Sequence, residues 1–426
     1  MTQLTAMQSR ALQPIIYFPI ELGVRELDSR ALLASLLVTQ GYHVVIGQQW
    51  LFYANIARLP PGAVLFKSFN KIHHPYMRTA KQAGHRVVIE RGAGDGSSLP
   101  DAEFLAAGAE ILPDADAVFA AADLILKVKE PRPEEYARFR EGQMLFTYLH
   151  LAADRELTEF LLSRRIEAVA YETVQSADGR LPLLAPMSEI AGRMAPQVGA
   201  KYLERPSGGR GVLMGGAPGV PPARVVVLGA GMAGLNAAWI AAGMEAEVVV
   251  LDRSVERLRF IDQIQRGRVQ TRMSGDLTIE QLVPEADLVV GAVLVPGARA
   301  PHLVTEDLVR SMRPGSVLVD ISIDQGGCIE TAHMTTHSDP TYVLHGVVHY
   351  CVGNMPGAVP RTSTYALTNV TLPYALAIAE HGVREAARRD PALALGVNAY
   401  RGTLTNAGVA AAHDLAHSPL DVALAG

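Results

Sequence analysis

Short apolar runs alternate with longer helix-type patterns along most of the chain, and this alternation limits the fold more than any other feature. Runs such as IIYF at residues 15–18 and HRVVIE at residues 85–90 are apolar on both faces, which is typical of strands inside a parallel sheet. Parallel neighbours need a crossover connection, usually a helix, so the alternation predicts βαβ units. We therefore expect an α/β protein.

The same pattern places individual elements along the chain. Predicted strands cover residues 15–18, 43–47, 63–67, 86–90, 124–129, 143–150 and 168–172. Predicted helices cover residues 26–40, 49–58, 75–83, 100–107, 155–164 and 181–202. Residues 206–223 are rich in glycine and proline and mark a possible boundary. A second α/β unit begins at Arg224, and the alanine-rich tail from Tyr374 is expected to be helical.

A glycine-rich motif in the second unit predicts the cofactor. Gly229, Gly231 and Gly234 form a GxGxxG sequence between the strand VVVL and a helix, and Asp252 ends the next strand 18 residues after the last glycine. Such glycines permit a tight turn, close approach to a pyrophosphate and close helix packing, and the helix N-terminus favours anions. Asp252 would accept hydrogen bonds from ribose hydroxyls and repel a 2′-phosphate, which favours NAD, although Arg253 weakens that preference. The alternative is a tight turn that binds nothing.

Three polar residues come at the ends of predicted strands. Lys129, His150 and Asp324 follow the apolar runs LIL, MLF and VLVDISI. The carboxyl ends of parallel strands meet at one crevice, so these side chains could converge there. A lysine can hold a carboxylate or polarise a carbonyl, and a histidine titrates near neutrality and can move protons. Taken singly, a solvated lysine and a structural histidine are the ordinary alternatives.

Charge and cysteine content exclude several classes of function. The formal net charge of −5 does not favour binding to nucleic acid or to an anionic membrane. The two cysteines, Cys328 and Cys351, do not have the spacing of a metal-binding pair, so no metal site is predicted. No apolar run reaches the ~18 residues of a membrane span, and residues 1–14 resemble a flexible leader without a signal-peptide core. We therefore expect a protein of the reducing cytoplasm.

From residue 85 to residue 414 the chain resembles the alanine dehydrogenase/pyridine nucleotide transhydrogenase family. The resemblance is carried by LILKVKEPRPEEY, GQMLFTYLHLAADRELT, AYETVQSADGRLPLLAPMSE, VLGAGMAGLNAA, GAVLVPGARAP, VDISIDQGGCIE and YCVGNMPGAVPRTSTYALTN. The third and the last of these segments favour a dehydrogenase over a transhydrogenase.

The resemblance implies a role for each candidate residue. Lys129 would bind substrate, His150 would be the proton acid/base, and Asp324 would help to activate water or ammonia. Met187 would lie near the nicotinamide. The residues implied to bind the cofactor are Gly229, Gly231, Gly234, Asp252, Ser188, Val293, Leu294, Asn354 and Met355.

The resemblance also implies an architecture and a reaction. The fold would be two Rossmann-like domains with the active site in the cleft between them. The substrate domain would be discontinuous, comprising residues 1–182 and 361–426, and the NAD-binding domain would cover residues 183–360. The reaction would be the reversible oxidative deamination of L-alanine to pyruvate and ammonium, carried out by a homo-oligomer, commonly a hexamer in this family.

Residues 1–84 depart from the family pattern. The family opens with a segment whose arginine grips the substrate carboxylate, and an ungapped count places Phe69 at that position. Lys67, Lys71 and Arg78 are the nearby cations that could substitute, although lysine cannot reproduce a bidentate guanidinium. Residues 14–90 instead resemble the start of glycosyltransferase-like surface-carbohydrate biosynthesis proteins.

Three hypotheses for function follow from these patterns. The first is an active alanine dehydrogenase. The second is an NAD-binding oligomer whose substrate site is impaired because the arginine segment is missing. The third, a sugar-nucleotide-binding protein, lacks the second domain that would hold a donor nucleotide.

Overall fold

The computed structural model describes residues 85–293 and 300–425, together with the backbone of three strands nearer the start. The chain separates into two compact units, Met1–Ile72 and His73–Gly426. The predicted helices 26–40, 49–58 and 75–83 lie outside the described residues.

The described strands of the first unit form one parallel sheet. They are β1 (Ile15–Ile20), β2 (His43–Gln48) and β3 (Gly62–Val64), in the order β2-β1-β3. Ile15 pairs with both His43 and Gly62, so the three strands start level with one another.

Three further sheets are described in the second unit. Their strands are β4 (Val88–Glu90), β5 (Glu110–Leu112), β6 (Leu124–Leu126), β7 (Met144–Thr147), β8 (Glu167–Ala170), β9 (Arg224–Leu228), β10 (Glu247–Asp252), β11 (Val269–Met273), β12 (Leu288–Gly291), β13 (Val317–Asp320), β14 (Thr341–Leu344), β15 (Val347–Tyr350), β16 (Val397–Tyr400) and β17 (Thr403–Leu404). The helices are α1 (Asp101–Ala106), α2 (Ala115–Ala121), α3 (Arg155–Ser163), α4 (Ala185–Leu203), α5 (Met232–Gly243), α6 (Val255–Gln265), α7 (Asp276–Leu282), α8 (Glu306–Ser311), α9 (Pro360–Arg389), α10 (Pro391–Gly396), α11 (Ala407–His413) and α12 (Leu420–Ala425).

The largest sheet has seven strands in the order β11-β10-β9-β12-β13-β15-β14. All neighbours are parallel except the hairpin β14–β15. Alternate residues of β9 enter two different core clusters, with Val225 and Val227 in one and Val226 and Leu228 in the other. Both faces of this sheet are therefore buried, which explains why its strands are continuous apolar runs. The predicted α/β class with Rossmann-like parallel sheets is confirmed.

A five-stranded sheet has the order β17-β16-β8-β7-β6, with β16 and β17 antiparallel to their neighbours. The prediction that the tail is helical was therefore wrong at β16 and β17. The sequence did not predict these short strands because β16 is stabilised by pairing with the distant strand β8, and β17 in turn pairs with β16. The domain boundaries, 1–182 with 361–426 and 183–360, stay a prediction.

Two helices meet closely beside the largest sheet. A Cβ placed on Gly192 of α4 would lie 2.1 Å from the carbonyl oxygen of Ala233 in α5, so only glycine allows this crossing. The contact brings the middle of α4 next to the first turn of α5, which follows the loop after β9. No helix in the described part of the chain is long and apolar enough to cross a membrane.

Candidate active site

The glycine-rich turn lies between β9 and α5, as the sequence predicts. Gly229 has φ 105°, and a Cβ on it would lie 2.5 Å from the Ala292 carbonyl oxygen. A Cβ on Gly234 would lie 1.7 Å from the carbonyl oxygen of Gly229. Beside Gly231, in contrast, no described atom lies within 4 Å of the Cβ position. Two of the glycines are thus required by packing, and the third leaves room for a ligand next to the backbone.

Asp252 braces this turn from the end of β10. Its Oδ2 accepts the amide of Ala230 at 2.6 Å, and its Oδ1 accepts the amide of Ser254 at 2.8 Å. Arg257, rather than Arg253, is the cation near the carboxylate, with Nη1 3.7 Å from Oδ2. The structural contact with Ala230 was missed from the sequence, because it depends on two strands lying side by side.

One cleft gathers most of the predicted site residues. It has a volume of about 890 Å³, including space at its open mouth, and lies past the carboxyl ends of strands from both large sheets. The predicted residues that line it are Lys129, His150, Met187, Ser188, Val293, Asp324, Asn354 and Met355. Ala233, which belongs to the glycine-rich motif, and Ala292, whose carbonyl oxygen faces Gly229, also line it, so the turn adjoins the cleft.

Some predicted residues are not placed by the structure. Leu294 and the candidate substitute cations Lys67, Lys71 and Arg78 lie outside the described residues. Phe69 also lies there.

Two lysines, Lys127 and Lys129, follow β6, and they have different surroundings. Nζ of Lys127 contacts the carboxylate of Glu135, whose Oε2 also accepts the Arg132 amide at 2.8 Å. Burial acts to raise the pKa of Glu135, but these hydrogen bonds outweigh it and lower the pKa below its usual value. Lys129 has no carboxylate within ion-pair distance among the described side chains. Lys129 is therefore the lysine free to bind a ligand in the cleft.

His150 lies three residues past the end of β7, so the predicted strand 143–150 was too long. Its backbone is left-handed, with φ 50°, which turns the chain away from the sheet. Its ring stacks on Tyr148 with centroids 5.9 Å apart, and the Tyr148 hydroxyl donates to the Leu183 carbonyl at 2.6 Å. Burial raises the pKa of Tyr148 well above its usual range, so this hydroxyl remains a donor.

Asp324 lies in a 3₁₀ turn, Ile321–Gln325, that follows β13. Its two carboxylate oxygens accept the Asn354 amide at 3.2 and 3.1 Å. Asp320, at the end of β13, stabilises the turn because its carboxylate accepts hydrogen bonds from the amides of Ser322 at 2.9 Å and Cys328 at 2.9 Å. Burial raises the pKa of Asp320 to about 6, although the amides favour its ionised form. Two loops of the cleft are thus tied together at Asp324.

Smaller contacts link the remaining walls of the cleft. Ser322 donates its hydroxyl to the Val293 carbonyl at 2.8 Å, which joins the Asp324 turn to the segment after β12. His337 Nε2 lies 3.1 Å from the Asn354 carbonyl oxygen. Among the described residues, no group of three or more His, Cys, Asp or Glu side chains could hold a metal ion. The arrangement combines a cation, an imidazole and a carboxylate, which suits anion binding and proton transfer beside a dinucleotide turn.

Comparisons with known proteins agree on one family. The model of the Alanine dehydrogenase/PNT N-terminal domain matches residues 76–191, and that of the C-terminal domain matches residues 195–407. Alanine dehydrogenase of Methanococcus maripaludis is 57% identical over 343 residues, which cover 80% of this chain and 92% of the relative. Alanine dehydrogenase of Mycobacterium tuberculosis is 59% identical over 327 residues, which cover 77% of this chain and 88% of the relative.

A solved structure of an L-alanine dehydrogenase has a TM-score of 0.77 and 49% identity, covering 82% of this chain and 98% of that one. The comparisons give no support to the predicted glycosyltransferase-like start.

Proposed function

Because the chain belongs to the alanine dehydrogenase/PNT family, we propose that it catalyses the reversible NAD-dependent oxidative deamination of L-alanine. The products would be pyruvate, ammonium and NADH, which makes the protein an oxidoreductase acting on a CH–NH₂ group. One observation carries the proposal: a lysine, a histidine and an aspartate line a single cleft beside the glycine-rich turn.

The residues around the turn fit a dinucleotide. Open space beside the Gly231 backbone and the amides at the start of α5 suit a pyrophosphate. The negative charge of Asp252 favours ribose hydroxyls over a 2′-phosphate, which supports NAD over NADP. Each oxygen of Asp252 accepts one amide, so each retains a lone pair for a hydroxyl. When bound, NAD⁺ supplies the acceptor for the hydride that leaves the substrate Cα.

We assign the chemistry of the substrate to three residues of the cleft. The Lys129 ammonium would hold the substrate carboxylate or polarise the ketone oxygen. An imidazole nitrogen of His150 would take a proton from the attacking water and return it as the carbinolamine collapses. Asp324 would orient that water, since its carboxylate is already fixed by the Asn354 amide.

The second hypothesis, an NAD-binding oligomer with an impaired substrate site, has one observation in its favour. The family's N-terminal model matches only from residue 76, so the position expected for the carboxylate-binding arginine, where an ungapped count places Phe69, lies upstream of the match. Turnover of alanine distinguishes the two hypotheses, because both retain dinucleotide binding.

We also propose a homo-hexamer, by resemblance to the family, and a cytoplasmic location. Cys328 and Cys351 are both buried and unbonded to each other, which suits a reducing compartment. Light scattering after size-exclusion chromatography would measure the subunit number.

The loss of NADH absorbance in the presence of pyruvate and ammonium tests the proposed reaction. We expect NADH to be oxidised only when both co-substrates are present. The rate of oxidation should be at least ~100-fold lower in the Lys129→Ala and His150→Ala variants. Lys201→Ala is the matched control, because Lys201 is an exposed lysine on α4 that stacks on Tyr202, 13 residues from Ser188. NADH binding without turnover in the unmodified protein would refute the dehydrogenase and favour the second hypothesis.

A further inference from the structure

Glu172 lies directly behind His150 and does not line the cleft. It belongs to a 3₁₀ turn, Tyr171–Thr173, that follows β8. Its carboxylate accepts the Leu149 amide at 3.2 Å with both oxygens and the His150 amide at 2.6 Å with Oε1. A part-buried carboxylate is thus committed to the backbone of the residue that we assign to proton transfer.

The position of this carboxylate follows from where two strands separate. Parallel pairing of β7 with β8 ends at Thr147 and Ala170. Beyond that point the amides of Leu149 and His150 have no strand partner, and no other described residue accepts them. Hydrogen bonds to an ionised acceptor are roughly twice as strong as neutral ones. Glu172 therefore replaces the missing strand carbonyls with a stronger acceptor.

His150 needs such support because its backbone is left-handed, with φ 50° and ψ 35°. A residue other than glycine holds this conformation only when its surroundings impose it. The imidazole is also stacked on Tyr148, whose pKa is raised by burial and then by the nearby charge of Glu172. The hydrogen bonds of Glu172 to the backbone and the stacked Tyr148 ring together fix the direction in which the imidazole points.

We propose that Glu172 is a positioning residue that holds the His150 imidazole toward the cleft through its hydrogen bonds to the backbone amides of Leu149 and His150. The inference rests on the proposed role of His150 in proton transfer. Because Glu172 does not line the cleft, we expect its removal to change the rate only through His150.

The first test compares Glu172→Ala and Glu172→Gln with Asp390→Ala. Asp390 is the matched control, because its Oδ1 also accepts two backbone amides, those of Ala392 at 2.8 Å and Leu393 at 3.3 Å, at the start of α10. We expect Glu172→Ala to lower kcat by about 10- to 100-fold, the effect of a misplacement near 1 Å. The KM for pyruvate and the Kd for NADH, measured by fluorescence, stay within twofold. Glu172→Gln keeps an oxygen acceptor and falls between Glu172→Ala and the unmodified protein.

The second test is a double-mutant cycle with His150→Ala. If Glu172 acts through His150, then the residual rate of the double variant equals that of His150→Ala alone, whereas a general structural defect would add its own loss. An additive loss, or a Glu172→Ala rate equal to that of Asp390→Ala, overturns the inference. Should Glu172→Ala fail to fold by circular dichroism, the cycle is run with Glu172→Gln, and a wild-type kcat in that variant overturns it as well.

These outcomes separate the inference from the proposed function. A His150→Ala variant with full activity refutes the proton role of His150 and, with it, the inference. A slow His150→Ala variant with a fully active Glu172→Ala variant refutes the inference alone.

Discussion

Replacing Asp320 with asparagine should change how the stability of the protein depends on pH. Asp320 is fully buried at the end of β13, and burial raises its pKa from the ordinary 3.8 to about 6. Between these values the folded protein keeps a proton that the unfolded chain has released, so stability falls as the pH rises through this interval. In total the free energy of unfolding falls by about 3 kcal/mol, of which about 2 kcal/mol is lost between about pH 4.5 and pH 7.

Asparagine cannot ionise, so the Asp320→Asn variant escapes this cost. It loses an acceptor for the amides of Ser322, Cys328 or Ile329 at every pH, which gives a constant deficit. The difference in Tm between the two proteins should therefore shrink by on the order of 2 °C from pH 4.5 to pH 7, measured by scanning fluorimetry. A constant difference would mean an unshifted carboxyl. A difference that grows with pH would mean that the three amides outweigh burial and lower the pKa.

Three other changes have expected outcomes that the same melting series can check. Gly234→Ala places a Cβ against the Gly229 carbonyl oxygen, so we expect the free energy of unfolding to fall by about 1–3 kcal/mol or more. NADH binding, measured by fluorescence, should also weaken, and unchanged binding would argue against this packing. His349 is fully buried against Thr331, and burial lowers its pKa to about 4. Acidification from pH 7 to pH 5 should therefore lower the free energy of unfolding by about 2 kcal/mol, and the His349→Gln variant should not show this decrease. Phe146→Ala should cost about 3–5 kcal/mol, since this side chain is fully buried, and a cost below about 1 kcal/mol would contradict its assigned place in the core.

The part of the fold that local patterns determine was predictable from the sequence. The helix Met232–Gly243 follows the glycine-rich turn, as predicted, because that turn and the apolar strand before it define where the helix starts. Lys129, His150 and Asp324 come together because the carboxyl ends of parallel strands converge, which a sequence pattern can indicate.

The parts that depend on contacts between distant residues were not predictable. Strands β6 and β7 end at Leu126 and Thr147, so the predicted strands included loop residues whose apolar character continues past the sheet. The contact of Glu172 with the backbone of His150 depends on a left-handed backbone conformation that no spacing in the sequence reveals. Likewise Asp320 and Asp324 are alike in the sequence, and only burial separates the anchor of the turn from the residue in the cleft.

The destination of the hydrogen on the substrate Cα tests the proposed reaction most directly. The protein would be incubated with [2-²H]-L-alanine and NAD⁺, and the reduced nicotinamide would be examined by mass spectrometry. We expect one deuterium in each NADH formed, one pyruvate for each NADH, and little of either in the His150→Ala variant. Dinucleotide binding without deuterated NADH would contradict the assignment of this cleft to alanine deamination.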